Sequence, residues 1–497
     1  MSQIFMIMKY FIRVIFAALI MLSVSCEDFF EEDLRGQIMG SAVLESQVGL
    51  ESALTGAYKG LGYTFTMGFL HGPHVHVGMG ADDRTGPASI DAGREFDIFT
   101  VSSNNTILNE IFRGCYKTIQ GANNVILNYG KTKGDEETIS IMAGEAYFLR
   151  AFGYYWLVRM WGDIPLMLTP DFTEDLLSIQ KTSTIEVYAL IVEDLKNAET
   201  MLVNTRRNNE KGRPNKGSAK ALLADVYLTM AGWPLKDESK YALAASTAKE
   251  VIENHSQYGF EFVTTFTELF ANDESTNGTA EDIYVITAFN QSGSRNQMYG
   301  YREMPGELKG WDCSYAEINF FLNFPEGIRK DMTFATEYPL LNGSDTLSWD
   351  ELITRHPFYK KFWIMAGNPA YYRDRSSLPV IMMRYAHVLT IYAEAITRSS
   401  GADELAYTCI NAIRERAGLL PLSGLTNEEF ADAVVQERAW EFAGEATSRW
   451  FDLVRLEKVA EANSDRHAWE PVITTTVDEN VYHFPFPISD AMINPNL

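Results

Sequence analysis

Cysteine, basic residues and long apolar runs are all scarce in this chain of 497 residues. The four cysteines do not have the spacing of a zinc site. There are 42 basic against 66 acidic residues, a formal net charge of -24. Because affinity for nucleic acid comes mostly from Lys and Arg contacts to phosphate, this balance argues against nucleic acid as a partner. It equally argues against docking through a basic patch on an anionic membrane face.

Sequence motifs of common enzyme classes are also missing. The chain has no Gly-x-Ser-x-Gly elbow, no phosphate-binding loop and no dinucleotide fingerprint. Asp82 and Asp83 are adjacent carboxylates, but neighbours on a strand face opposite sides, whereas the two carboxylates of a glycosidase converge on one bond. We therefore expect a binding protein without a cofactor, and not an enzyme.

The first 25 residues predict a signal peptide, because a basic segment is followed by the apolar run 14–22 and by small residues. That run is shorter than the about 20 residues that a bilayer core requires. The pattern resembles a bacterial lipoprotein signal, with Leu22 four residues before Cys26 where three are usual. The resemblance implies that Cys26 becomes the acylated first residue. The alternative is a permanent N-terminal anchor helix.

Five of the seven residues after Cys26 are acidic. Such a run is typical of a solvated tether. It also resembles the acidic export tag of surface lipoproteins in Bacteroidota-type bacteria, which implies a position on the outer face of the cell.

Most of the remaining chain predicts α-helices. Apolar residues recur at helical spacing over 107–127, 141–160 and 184–203, and Gly162 with Pro165 predicts the end of the second helix. Thr426 and Glu429 form a capping box that predicts a helix running on to about residue 460.

Two further segments predict helix–turn–helix pairs, one joining 216–231 to 239–254 and the other joining 380–398 to 403–417. Small residues at the helix crossings, with aromatic residues between them, resemble tetratricopeptide pairs.

Two stretches, 60–100 and 259–378, are rich in Gly, Pro, Asn and aromatic residues. They predict loops with short strands, such as 283–289, carried on a helical frame, and binding residues concentrate in loops. The expected fold is therefore mainly α. After the signal peptide we expect a helical region over 26–258 and a second region over 259–497, which is loop-rich to 378 and helical from 379.

Five segments resemble the SusD/RagB family of outer-membrane nutrient-uptake lipoproteins, in the order in which that family has them. One is RYAHVLTIYAEAI at 384–396, similar to the family's R-Y-A-E-x-x-L-x-Y-A-E-A helix. The others are GEAYFLRAFGYYWLVRMWGDIPLM at 144–167, INAIRERAGL at 410–419, ERAWEFAGEATSRWFDLVR at 437–455 and PFPISDAMINPNL at 485–497. The segment at 437–455 departs from the family's pattern after Glu445, so an altered turn is expected there.

The charged residues of these motifs alternate in sign along the helices, which predicts ion pairs between helices and not catalysis. They are Arg414, Arg416, Glu437, Arg438, Glu441, Asp452 and Arg455.

The resemblance implies a SusD-like fold, in which tetratricopeptide-like pairs form a scaffold for long loops. It also implies a lipid-anchored protein on the extracellular side of the outer membrane. Such a protein binds a nutrient, usually an oligosaccharide or polysaccharide, and delivers it to a SusC-like TonB-dependent transporter. Binding of a peptide or another nutrient, a glycoside-acting enzyme and a scaffold that binds only protein are the alternatives.

A sugar ring presents an apolar C–H face and a rim of hydroxyl groups, so its site needs flat aromatic side chains beside polar ones. Two predicted loops supply both kinds of residue. Trp311 lies in a polar stretch with no pattern that obliges it to face inward, and we expect it to stack on the ligand with Tyr315. Core packing is the alternative for each aromatic residue. The predicted ligand-binding residues are Trp311, Tyr315, Tyr301, Arg302, Asp82, Asp83, Arg84 and Phe96, with Trp363, Tyr371, Tyr372 and Arg373 in reserve.

Three histidines, His71, His74 and His76, lie close together in the first loop. On an extended strand, His74 and His76 would share one face, and His71 or Asp82 would complete a zinc site. Gly72 and Pro73 favour a turn instead, and hydrogen bonding to a glycan or a structural role accounts for the same residues. We therefore predict no metal site.

Cys26→Ala tests the predicted lipid attachment. Because the variant lacks the thiol that would carry the anchor, we expect it in the soluble fraction of lysed cells while the parent protein stays in the membrane fraction. Immunoblots of the two fractions measure the partition, with Cys409→Ala as the control. Unchanged membrane partition of Cys26→Ala would contradict acylation at this residue.

Overall fold

Helices form the frame of the protein in a computed structural model, which describes residues 41–65, 73–170, 174–272, 278–288, 303–340, 343, 345–363, 377–445 and 448–497. Residues 44–497 belong to one unit. None of the helices in these residues is long and apolar enough to cross a membrane.

Ten helices of eight or more residues lie in the described ranges. They are α1 (Gln47–Phe65), α2 (Thr106–Asn128), α3 (Glu136–Trp161), α4 (Thr184–Met201), α5 (Lys216–Met230), α6 (Ser239–Glu253), α7 (Tyr385–Ser400), α8 (Glu404–Arg416), α9 (Asn427–Glu441) and α10 (Ser448–Arg455). Shorter helices span Ser41–Leu44, Pro73–Val77, Asp91–Asp97, Phe266–Leu269, Ile318–Leu322, Ile328–Thr333, Val459–Ala462 and Ile488–Ala491.

The first six helices pack in chain order, each against the one before it, and α7 then packs on α6 and carries α8 and α9. Glycine allows the closest of these approaches. A Cβ atom at Gly121 of α2 would lie 2.6 Å from the backbone nitrogen of Ala57 in α1. The pairs α5–α6 and α7–α8 confirm the mainly helical fold with helix–turn–helix pairs that the sequence predicts.

Several helix ends lie where the sequence places them. Helix α3 ends at Gly162, which has a φ of 69° that only glycine adopts without strain. Thr426 and Glu429 form the predicted capping box at the start of α9. The helix predicted from Thr426 to about 460 is instead two helices, because the chain turns after Glu441 through Gly444, at a φ of 79°. A side chain at Gly444 would also collide with the ring of Tyr359.

Eight short strands lie in the described ranges: β1 (Arg84–Thr85), β2 (Asp282–Ile286), β3 (Tyr315–Ala316), β4 (Phe334–Ala335), β5 (Glu337–Pro339), β6 (Thr346–Ser348), β7 (Phe358–Tyr359) and β8 (Val380–Arg384). They form the antiparallel pairs β1–β3, β2–β8, β4–β7 and β5–β6. Residues 380–384, predicted as the start of a helix, therefore form a strand. Their apolar run pairs with the equally buried β2, and α7 begins only at Tyr385.

The aromatic residues of α3 lie in the core, as their spacing predicts. Phe148 and Phe152 contact the ring of Tyr284 at centroid distances of 4.7 and 5.3 Å, and Trp156 contacts Phe451 at 5.5 Å. The core therefore joins the N-terminal helices to β2 and to α10.

Arg384, at the end of β8, is fully buried among three carboxylates. It forms ion pairs with Glu281 at 2.6 Å, Glu441 at 2.7 Å and Glu445 at 2.8 Å. Lys361 reaches Glu445 from another segment at 3.0 Å. This arrangement neutralises charges that would be very costly to bury singly.

Two further buried cations, Arg416 and Arg329, extend this cluster, which we call the central ion cluster. Arg416 of α8 pairs with Glu281 at 2.6 Å and with Glu441 at 2.7 Å. Arg329 reaches Glu441 at 3.1 Å and Glu437 at 2.6 Å. Burial alone would raise the pKa of Glu441, but the guanidinium groups around it hold that pKa far below its ordinary value. Glu441 is therefore a carboxylate whose negative charge the fold requires.

A second buried cluster ties α7, α9 and α10 together. Arg455 pairs with Glu394 at 2.6 Å and with Asp452 at 2.8 Å, and Arg438 pairs with Asp452 at 2.9 Å. The guanidinium of Arg438 also donates to the hydroxyl of Thr390 at 2.7 Å. The motif charges thus form the ion pairs between helices that their alternation predicts.

Glu441→Gln tests the dependence of the fold on the central ion cluster. The neutral amide leaves Arg384 and Arg416 without a full counter-charge inside the protein, and breaking such a pair costs about 3–5 kcal/mol. Glu253→Gln removes one partner of an exposed pair with Lys249 at 3.8 Å, which is worth less than about 1 kcal/mol. Urea unfolding of both variants measures the difference, and equal losses would contradict this account.

Candidate functional site

The two loops predicted to bind the ligand meet in a short antiparallel ladder. Strand β1 of the first loop pairs with β3 of the second, with Arg84 opposite Ala316 and Thr85 opposite Tyr315. The structure therefore brings the two loops together, as a shared site requires. Four of the six predicted ligand-binding side chains that the structure describes are buried.

Arg84 lies inside the junction, not at a surface rim. It donates to Glu303 at 2.5 Å, to the hydroxyl of Ser314 at 2.7 Å and to the carbonyl of Gly444 at 2.8 Å. Its guanidinium also lies 4.8 Å from the centroid of the Tyr359 ring. All of these contacts are buried, so Arg84 holds the second loop to the turn between α9 and α10.

The two neighbouring aspartates have different surroundings. Asp82 is partly exposed and accepts two hydrogen bonds from Arg449, at 2.6 and 2.7 Å. Asp83 is buried, and the loss of water around its charged form raises its pKa to about 6 although Arg84 partly offsets the effect. Asp83 is therefore closed off from a ligand at the surface, whereas Asp82 is partly exposed and already paired with Arg449.

Phe96 and Tyr315 are core residues. Phe96 contacts the ring of Phe484 at a centroid distance of 5.1 Å, and both rings are buried. Tyr315 contacts His356 at 4.4 Å and Phe358 at 5.4 Å. The stacking partner predicted for Trp311 thus packs inside the protein, which is the alternative left open for each aromatic residue.

Trp311 lies at the surface, with 48% of its side chain exposed. It lies in a tight turn closed by backbone hydrogen bonds from Gly310 to the carbonyl of Pro305, at 3.0 Å, and from Asp312 to that of Met304, at 3.1 Å. Asp312 also accepts from the backbone nitrogen of Gly306 at 2.8 Å. The indole is therefore displayed from a rigid support.

The close packing of this turn requires a glycine before the tryptophan. A Cβ atom at Gly310 would lie 2.0 Å from the carbonyl oxygen of Met304. Gly310 thus allows the backbone to close on itself directly before Trp311.

A family model described as "SusD family" matches residues 204–497, more than half of the chain. The chain belongs to the SusD family. A second model, described as "Starch-binding associating with outer membrane", matches residues 91–228. SusD-like protein P2 of Formosa agariphila is 28% identical to the chain, and the match covers 98% of this chain and 98% of that protein.

Solved structures have the same fold. A SusD superfamily protein from Parabacteroides distasonis superposes with a TM-score of 0.79 at 24% identity, covering 91% of this chain and 98% of that one. Surface glycan-binding protein A from Bacteroides uniformis superposes with a TM-score of 0.75 at 20% identity, covering 91% and 99%. The SusD-like fold predicted from the sequence is therefore confirmed.

Other predicted residues of this SusD-family chain take no part in the surface around Trp311 or lie outside the described residues. Trp363 is buried against Tyr338, at a centroid distance of 6.3 Å. His76 is buried, and the described residues contain no group of three side chains suited to a metal ion. Tyr301, Arg302, His71, Tyr371, Tyr372 and Arg373 lie outside the described residues, and the side chain of His74 is likewise not described.

Sequence reasoning did not single out a second exposed tryptophan, Trp469, which has 46% of its side chain exposed. A signal was present, because Trp469 lies in the polar segment Ser464–Glu470 without helical or alternating periodicity. Like Trp311, Trp469 therefore has no sequence pattern that obliges it to face inward. The guanidinium of Arg355 lies 5.2 Å from its ring.

Trp311→Ala and Tyr315→Ala test these placements through stability. Removal of a half-exposed indole from a turn that its own backbone holds together is expected to change the free energy of unfolding by about 0.5 kcal/mol. Removal of a large buried ring leaves a cavity, and Tyr315→Ala is expected to lose about 3–5 kcal/mol. Urea unfolding at one pH compares the two variants. A loss in Trp311→Ala as large as that in Tyr315→Ala would mean that Trp311 supports the core.

Proposed function

We propose that this SusD-family protein is a lipid-anchored protein of the outer membrane that binds an oligosaccharide or polysaccharide at the cell surface and delivers it to a SusC-like TonB-dependent transporter. The observation that carries the proposal is the exposed indole of Trp311, fixed on a rigid turn of a SusD-like fold. Binding, and not catalysis, is the role proposed for this surface.

The physical basis is the match between an indole and a sugar ring. The flat face of Trp311 offers apolar contact to the C–H face of a pyranose, while a ligand's hydroxyl groups need polar partners beside it. Lys309 and Asp312 flank the tryptophan in the same turn and are exposed or partly exposed. A fixed backbone lowers the entropy lost when the side chain is immobilised by a ligand.

The relatives support the same role at a coarser level. One family model that matches the chain is described as starch-binding and outer-membrane-associated. The structural relative from Bacteroides uniformis is described as a surface glycan-binding protein. The signal-like residues 1–25, Cys26 and the acidic run after it support an anchored position on the outer face.

The carboxylates of the first loop give no support to a glycosidase. Asp83 is buried and Asp82 is held in a two-bond ion pair with Arg449, so the two groups do not converge on an open site. A general acid and a nucleophile have to face one bond of the substrate from a few ångströms.

Trp311→Ala is expected to lower the affinity for the bound glycan about thirtyfold, since truncating an aromatic anchor at a binding hot spot costs about 2 kcal/mol or more. The parent protein is first screened by affinity electrophoresis against soluble starch, laminarin, xylan and pectin. Calorimetry on the retained polysaccharide then compares it with Trp311→Ala and with Trp311→Phe, which keeps an aromatic face.

Full affinity of Trp311→Ala for a glycan that the parent binds would show that the site lies elsewhere. Products released from the glycan would indicate an enzyme. If the parent protein retained none of the polysaccharides but bound peptides, the nutrient would be a peptide instead of a glycan.

A further inference from the structure

The residue after Trp469, Glu470, anchors this segment to the frame. The carboxylate of Glu470 is buried, accepts the backbone N–H of Ile318 at 3.1 Å and pairs with the imidazole of His356 at 3.0 Å. The backbone beside Trp469 is therefore fixed, although the indole itself is nearly half exposed.

Three side chains contact the indole of Trp469 and restrict its motion. Trp349 lies at a centroid distance of 6.4 Å, His467 contacts the ring edge-on at 5.0 Å, and the guanidinium of Arg355 lies over it at 5.2 Å. Trp349 is in turn held by Phe321 at 5.7 Å. A large aromatic side chain with restricted motion and an exposed part is suited to stacking on a ligand.

Hydrogen-bond donors lie next to this aromatic surface. Arg355 is an exposed residue, and its guanidinium forms no side-chain hydrogen bond or ion pair with any residue in the described ranges. The Nδ1 atom of His467 accepts the backbone N–H of Trp469 at 3.2 Å, so the neutral ring carries its proton on Nε2 as a donor. An aromatic face with donors at its edge matches the C–H face and the hydroxyl rim of a sugar.

The segment that carries Arg355 also contacts the turn that carries Trp311. The backbone N–H of Ile353 donates to the carboxylate of Glu307 at 2.8 Å, and Glu307 belongs to that turn. Ile353 is 90% exposed and lies two residues before Arg355. The segment whose Arg355 contacts Trp469 therefore also touches the turn that carries Trp311.

We propose that Trp469, with Arg355 and His467, forms a second saccharide-binding subsite, and that the ligand of this protein is a glycan chain long enough to contact both tryptophans. The inference rests on the proposed function and names the class of ligand: a polymer and not a mono- or disaccharide. Two linked contacts make the second binding event intramolecular, so they raise the affinity for long chains without changing that for short ones.

A length series of oligosaccharides tests the proposal. The series is prepared from the polysaccharide that the parent protein retains in the screen. Trp469→Ala is expected to weaken binding of the full-length polysaccharide at least about tenfold and to leave the shortest bound oligosaccharide unaffected. Trp311→Ala is expected to weaken both. Arg355→Ala provides a second, less disruptive variant, and Leu420→Ala removes another exposed apolar side chain, on the α8–α9 connection, as the control.

The outcomes separate this proposal from the proposed function. Retention of no glycan by the parent protein would overturn both. Equal affinity of the parent, Trp469→Ala and Arg355→Ala for the full-length polysaccharide would overturn the second subsite alone, provided that thermal unfolding shows folded variants. Unchanged glycan binding by Trp469→Ala with weakened binding to a co-expressed transporter would assign this surface to a protein partner instead.

Discussion

The buried pairing of Arg384 with Glu281, Glu441 and Glu445 is the interaction on which the rest of the structure depends. Glu281 lies directly before β2, Arg384 ends β8, Glu441 ends α9 and Glu445 lies in the turn after it, so the cluster joins segments that are far apart in the chain. An unpaired charge in the interior is far more costly than an imperfect apolar contact, so the elements have to meet in the one register that satisfies every charge. Apolar packing around α3 supplies the bulk of the core, but it is less selective.

The same cluster positions the surface that we assign to the ligand. Glu445 lies in the turn after α9, and the neighbouring carbonyl of Gly444 accepts a hydrogen bond from Arg84. Arg84 in turn binds Glu303 and Ser314 at either end of the loop that displays Trp311. A displacement of α9 would therefore be transmitted through buried, charge-assisted hydrogen bonds to an exposed indole. The loop that displays Trp311 is thus rigid at its base although it belongs to no large sheet.

Much of the frame was predictable because local patterns specify it. The capping box at Thr426, the glycine stop at Gly162 and the aromatic stripe of α3 all act within a few residues of the chain. The alternating charges of the motifs likewise predicted ion pairs between helices. The start of α7 and the end of α9 at Glu441 were not predicted, because the pairing of β8 with β2 and the contact of Gly444 with Tyr359 involve residues distant in sequence.

The sequence by itself determined that this is a mainly helical SusD-family chain whose loops carry aromatic and polar residues in the proportions of a binding surface. Only the tertiary structure decided which of those residues face outward. Asp83, Arg84, Phe96 and Tyr315 have the composition of a sugar site, yet they are buried, while Trp311 and Trp469 are exposed. The physical reason is that irregular loops lack the periodicity that tells an inward face from an outward one, so contacts with distant elements decide their orientation.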